Sequence, residues 1–363
     1  MNCSAGVVVS DSHAFVQQLL VTEQLDAVLV VSRCDLRYLC GFSGSDGVLL
    51  CLADSSVFLT DSRYQEQARQ QVVADEIRCY KSKFQGLADL IDEQHVQRIG
   101  FDAGNVTVAQ FDELKRLCPV ATSFIPLTKR WESLRAIKKP AELAHLKQAA
   151  DLNRKAFDAV LPLIRVGVKE REIALELEFA LKKLGGETNA FDFIVASGVR
   201  GALPHGVASD KELCAGELVT IDFGTRYQGY HSDETVTVAV GEVDGNLRQM
   251  FYIVLEAHDC AIAAARSGIR ACDLDAVARD LIVSKGFGEF FGHGLGHGVG
   301  LDVHEYPPLT TRNEDSLFAG MVVTIEPGIY LPGVGGVRIE DTIVITETGC
   351  ECLTSIPKQF RQL

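Results

Sequence analysis

The chain has 363 residues, 47% hydrophobic and 23% charged, with a net charge of −14. That balance is ordinary for a globular protein long enough for two domains, and the negative charge argues against nucleic acid or an anionic membrane as partner. The start, Met1-Asn2-Cys3-Ser4-Ala5-Gly6, lacks the basic and apolar segments of an export signal, no apolar run approaches a membrane span, and the eleven scattered cysteines form no Cys-x-x-Cys pair; together these predict a cytoplasmic protein with reduced thiols.

In chain order, Ser12 to Gln24 predicts a helix, with Phe15, Leu19 and Leu20 at helical spacing. Ala27 to Val31, Gly47 to Leu52 and Val57 to Thr60 read as strands, and Ser62 to Gln71 as a polar helix. A strand at Arg98 to Phe101 and a helix at Val108 to Leu117 complete a small α/β domain over residues 1–126, which Pro119 and Pro126 punctuate. Residues 127–139 read as a basic linker or short connecting helix. Pro140 then sits where a helix accepts a proline, in its first turn.

Residues 140–363 predict a second domain that says everything twice. Helices at Ala141 to Leu161 and Glu170 to Leu184 lead to Gly185-Gly186, a strand at Phe191 to Ala196, and a pair of strands carrying Asp222 and Asp233. Helices at Leu247 to Arg266 and Cys272 to Lys285 lead to Gly286, a glycine-rich run, and strands carrying Glu326 and Glu340. Val219-Thr220-Ile221-Asp222-Phe223-Gly224 is echoed by Val323-Thr324-Ile325-Glu326-Pro327-Gly328, and Ser232-Asp233-Glu234-Thr235-Val236 by Ile339-Glu340-Asp341-Thr342-Ile343. Leu203-Pro204-His205-Gly206-Val207 matches Leu295-Gly296-His297-Gly298-Val299, and Arg165-Val166-Gly167-Val168-Lys169 matches Arg266-Ser267-Gly268-Ile269-Arg270. A duplicated half-domain, its copies facing across a pseudo-twofold axis, is the reading this order supports.

A turn at Tyr227-Gln228 or Gln228-Gly229 puts Asp222 and Asp233 on one face of a hairpin. Buried carboxylates cost several kcal/mol (~3 or more) unless paired or bound to metal, and no local run of Lys or Arg pairs these. A set of strand-end acids in ordinary salt bridges is the competing explanation for any one of them. Four acids and an imidazole recurring in matched order predict instead a cation site. Four negative charges balance two divalent ions, and oxygen-rich ligands with one imidazole suit Mn²⁺, Co²⁺ or Zn²⁺. The glycines around His293 and His297 rule out a helix, so these two are not a His-Glu-x-x-His zinc pair.

These motifs resemble the metal-dependent pita-bread peptidases, and within them the proline-specific branch of prolidase and aminopeptidase P. The likeness spans the chain, with Arg37-Tyr38-Leu39-Cys40-Gly41-Phe42-Ser43-Gly44-Ser45 and Thr60-Asp61-Ser62-Arg63-Tyr64 looking like the family's N-terminal domain. It implies an α/β (α+β) fold with a catalytic pita-bread domain over 140–363, built from a duplicated helix-helix-strand-hairpin half. It implies two divalent ions, Mn²⁺ first with Co²⁺ or Zn²⁺ as alternatives: Asp222 on one, His297 and Glu326 on the other, Asp233 and Glu340 bridging. His205 and His304 would act on substrate, Glu326 would also move a proton, and His293 would stand close by. Tyr330 could donate a hydrogen bond or simply pack; Arg338 could hold a ligand carboxylate, the reading favoured here, or meet substrate. The implied reaction is hydrolysis of the Xaa-Pro bond at the N-terminus of peptides with proline second, as in aminopeptidase P. Prolidase action on Xaa-Pro dipeptides is the alternative, and a non-catalytic binding module a third. A homodimer or higher oligomer is implied too. One departure is Val236, where many relatives carry arginine; its twin is Ile343, which predicts an effect on packing and not on metal.

Overall fold

The structure, a computed structural model, describes residues 12–127 and 129–363, and divides into two compact units, one ending at Arg135 and the other beginning at Ala136. Residues Ser133–Arg135 of the stretch read as a linker form a short 3-10 turn that belongs to the first unit. There, Trp131 Nε1 donates to Asp35 Oδ2 at 2.9 Å and Arg135 pairs with the same buried carboxylate.

The first unit is a six-stranded mixed sheet in the order Glu76–Cys79, Ser56–Thr60, Gly47–Leu52, Ala27–Val30, Arg98–Asp102, Ser123–Leu127. Apolar clusters cover both faces, which is why the central Ala27–Val30 strand is apolar at every position. The helix at Arg33–Cys40 escaped sequence reading because it is short and polar; its start is marked only by Ser32, whose hydroxyl accepts from the Asp35 amide, and its end by Gly41 at φ +81°. Lys83–Glu93 is a further helix, and the edge strand Glu76–Cys79 carries two charges and no apolar run.

The second unit repeats itself. Helices Pro140–Val160 and Glu170–Lys183 precede an antiparallel sheet ordered Glu234–Val240, Glu217–Phe223, Ile194–Ser197. Helices Gly245–Ala264 and Ala271–Ser284 precede another, in which Asp341–Ile345, Val322–Ile325 and Gly296–Gly298 lie in the matching order. Each half has its own apolar core. The repeat holds at single hydrogen bonds. Gly167 N donates to Leu213 O at 2.9 Å and Gly268 N to Leu317 O at 2.8 Å; Glu170 N donates to Lys211 O and Ala271 N to Asp315 O. The strands meet across the halves, where Glu340 N donates to Thr235 O at 3.1 Å and Thr342 Oγ1 to Asp233 O at 2.8 Å.

The hairpin turn is Gln228-Gly229, at φ +48° and +81°, between paired Tyr227 and Tyr230. Asp222 lies opposite Thr235, so Asp233, two residues earlier, shares its face. Val236 is buried in the apolar core of the first half, as its apolar twin suggested. No helix among the described residues is long and apolar enough to cross a membrane.

Candidate metal centre and substrate cleft

Four carboxylates and one imidazole meet where the two sheets face each other. Asp222 is the next-to-last residue of its strand, Glu326 follows Val322–Ile325, Asp233 and Glu340 each precede a strand, and His297 sits within Gly296–Gly298. Asp222, Asp233 and Glu340 are 8%, 5% and 1% exposed, and each offers an oxygen within 4.8 Å of the others. His297 Nε2 lies 3.3 Å from Glu326 Oε1 and 3.6 Å from Asp233 Oδ2. The imidazole is oriented from behind, with Nδ1 3.1 Å from Gly298 O and its amide donating to Thr324 Oγ1 at 3.0 Å.

Charge here is far from balanced. Among the described residues lining the cleft, Arg338 is the only lysine or arginine, and it is committed. Nη2 donates to Asp222 Oδ2 at 2.5 Å, Nη1 to Tyr330 Oη at 2.8 Å and to Pro204 O at 3.0 Å, and Nε to Thr235 Oγ1 at 3.2 Å. Burial together with Glu340, Asp222 and Glu326 holds the Asp233 carboxyl well above its usual range; burial together with Glu326 and Asp222 does the same for Glu340. Burial also pushes Asp222 up, against the pull of Arg338. Burial acts the same way on Glu326, but the His297 hydrogen bond and charge win and bring it to about 2.

Asp222 Oδ1 and Glu340 Oε1 are buried with no hydrogen-bond partner. Oxygen atoms left bare among like charges are what a hard divalent cation satisfies, so the donor set fits metal. Thr235 holds one bridging candidate by donating to Glu340 Oε2 at 2.6 Å. Thr324 donates to Glu326 Oε1 at 3.2 Å. Neither threonine was singled out from sequence, although Thr235 and Thr342 stand two residues after matched carboxylates in the repeat.

The carboxylates form the floor of a cleft of about 610 Å³. His205 and His304 are exposed on its walls, and the His304 ring lies 4.3 Å from that of His297, centroid to centroid. Burial and the neighbouring His297 lower the His304 pKa. His293 reaches Tyr330 Oη at 2.9 Å through Nε2, and burial lowers its pKa too; burial raises Tyr330 to about 12. The cleft therefore gathers every residue singled out from sequence except Tyr330, which stands behind it, linked to His293 and Arg338.

A search of family models matches residues 144–347 to metallopeptidase family M24. The chain belongs to that family. Residues 13–137 match the creatinase/prolidase N-terminal domain. This M24 peptidase is 38% identical, over 93% of its length and 94% of the relative's, to a Xaa-Pro dipeptidase of Pyrococcus horikoshii. Its fold matches a Xaa-Pro dipeptidase structure from Bacillus anthracis at a TM-score of 0.94, with 41% identity, covering 97% of this chain and 99% of the other. An X-Pro aminopeptidase structure from Thermotoga maritima matches at 0.86, with 38% identity over 94% and 98%.

Proposed function

We propose that this M24 peptidase hydrolyses Xaa-Pro dipeptides, using two divalent ions of which Mn²⁺ is the first choice and Co²⁺ or Zn²⁺ the alternatives. The observation that carries the hydrolytic reading is the buried carboxylate floor with its bare oxygens. The dipeptide preference rests on the relatives named Xaa-Pro dipeptidase, from P. horikoshii and B. anthracis, and moves aminopeptidase P action to second place. Asp222 would hold one ion, His297 and Glu326 the other, and Asp233 and Glu340 both. Bound there, the ions would supply Lewis acidity and lower the pKa of water.

The chain's own groups have separate tasks. Glu326, ionised at neutral pH, accepts a proton from the attacking water and passes it to the proline nitrogen as that bond breaks. His205 and His304 donate hydrogen bonds to the carbonyl oxygen as it gains charge, each worth about 3–4 kcal/mol if it behaves as an oxyanion donor. Arg338 aims Asp222 and opposes the rise that burial imposes on its carboxyl. Tyr330 links Arg338 to His293, so the wall and the floor share one hydrogen-bonded frame.

One observation favours the longer-peptide reading. The cleft's single guanidinium already makes four hydrogen bonds, which leaves no unengaged lysine or arginine among the described lining residues to meet the carboxylate of a dipeptide. The deciding assay compares Ala-Pro with Ala-Pro-Yaa on metal-stripped enzyme refilled with Mn²⁺, Co²⁺ or Zn²⁺. Faster turnover of Ala-Pro supports the dipeptidase; faster turnover of Ala-Pro-Yaa makes it an aminopeptidase P; equal turnover of Ala-Ala-Yaa removes proline selectivity altogether. A homodimer in the cytoplasm completes the reading, and a fully active monomer in light scattering would remove the dimer.

A further inference from the structure

We propose that Glu170 is a positioning residue for His205, acting through a clamp on the segment that carries it; this rests on the reading of His205 as a substrate-contacting group. Glu170 opens the helix Glu170–Lys183 and is fully buried. Its carboxylate grips both ends of one segment. Oε1 accepts from Ser197 N and Oγ, both at 2.8 Å, and Oε2 accepts from Ser209 Oγ at 2.7 Å and Ser209 N at 3.2 Å. Arg200 pairs with Oε2 and also donates to Val207 O at 2.8 Å. The residues between Ser197 and Ser209 therefore form a closed loop cinched at its base by one carboxylate and cross-braced by one guanidinium. His205 lies within that loop.

Among the described residues the His205 ring has no hydrogen-bond partner, unlike His297, whose ring nitrogen faces Gly298 O. Its place on the cleft wall therefore depends on how its backbone is held. That backbone has two further ties. Gly201 packs so closely on Gly336 that a Cβ on the latter would stand 1.9 Å from Gly201 O. Arg338, which holds Asp222, also donates to Pro204 O. Helix, cleft wall and carboxylate floor are thus tied together, with Glu170 at the base of the loop. A buried acid with a single cation is weak evidence for stability by itself. An acid spending both oxygens on the two ends of the loop that carries His205 points to placement.

The test uses Glu170→Gln and Arg200→Met, each alone and combined with His205→Ala, assayed on Ala-Pro with Mn²⁺. Arg200 is 24% exposed at its side chain, so its variant keeps the question answerable should Glu170→Gln fold poorly. The expected result is a fall of about tenfold in kcat in each single variant, in line with the cost of misplacing a group by a fraction of an ångström, with KM and bound metal unchanged. In the His205→Ala background the same substitutions should cost less than about twofold, because coupled residues do not add. In metal-free protein the imidazole NMR signal of His205 should be single in the parent and broadened or split in both variants. Equal losses in the two backgrounds, or a parental His205 signal in both variants, would overturn the clamp. A His205→Ala enzyme with parental rate would remove the role of His205 itself, and the clamp with it. A slow His205→Ala enzyme with additive losses removes the clamp alone.

Discussion

Replacing Asp233 with asparagine should make the metal-free protein more stable and the metal-loaded protein less so. In the structure its carboxylate lies within 4.8 Å of oxygens from both Asp222 and Glu340. Two unit charges at that distance repel by about 3.5 kcal/mol at an effective dielectric constant of about 20. The three groups lessen this by binding protons, which is why Asp233 and Glu340 titrate so high, so a gain of about 1–3 kcal/mol at pH 8 is expected. The loaded parent has the opposite balance. A ligand at one hundred times its dissociation constant adds about 2.7 kcal/mol, or about 5–11 °C at roughly 2–4 °C per kcal/mol for a unit of this size. Asp233→Asn should lose nearly all of that rise, together with metal content and activity. Scanning calorimetry in chelator and in excess Mn²⁺, with elemental analysis on the same samples, reads every term. A variant that melts lower than the parent in chelator and still rises by the parental amount with metal would refute the argument.

Other outcomes follow from the same geometry. His205→Ala should keep its metal by elemental analysis and lose about 10²–10³-fold in kcat, the usual cost of an oxyanion donor. The chelated parent should melt at lower temperature as pH rises from about 5 to about 8: Asp233 and Glu340 have raised folded pKa values, so their contribution is complete below the unfolded carboxylate range and fades as pH climbs through the raised values, and this dependence should flatten with Mn²⁺ bound. Lys358 is buried against Glu234 at 2.7 Å and Asp341 at 3.3 Å. Lys358→Met should therefore cost about 3–5 kcal/mol by stranding those acids, and Lys358→Met with Glu234→Gln should recover part of the lost melting temperature.

The floor of the site was readable because carboxylates set into apolar strands contradict their surroundings, and because each contradiction occurs twice. Strand alternation told which face Asp233 shares with Asp222, and the twin of Val236 told which residue it resembles in packing. Arg338 was readable as a partner of a ligand carboxylate, since it shares a strand face with Glu340; that it also reaches Pro204 O required the fold. Thr235 and Thr324 went unread because a threonine is at home in any strand, and only their recurrence beside the paired carboxylates sets them apart. Glu170 was hidden for a different reason. As the first residue of a helix it is an ordinary capping acid, and only tertiary structure shows that it spends itself on Ser197 and Ser209. The short polar helix Arg33–Cys40 and the edge strand Glu76–Cys79 lack the apolar runs on which pattern reading depends.

The repeat of helices and strands has a consequence for how such a centre could arise. The first half supplies Asp222 and Asp233; the second supplies His297, Glu326 and Glu340. In the proposed assignment neither half would own a complete coordination shell, and an ancestral half could have served as a pair of identical chains, with the same acids facing each other. Joining the halves in one polypeptide released them from that identity. Asp222 could then be braced by arginine while its counterpart Glu326 came to face the imidazole of His297, so that two neighbouring cation sites built on them would differ in basicity. Symmetric parents yield twins; a fused gene permits a division of labour.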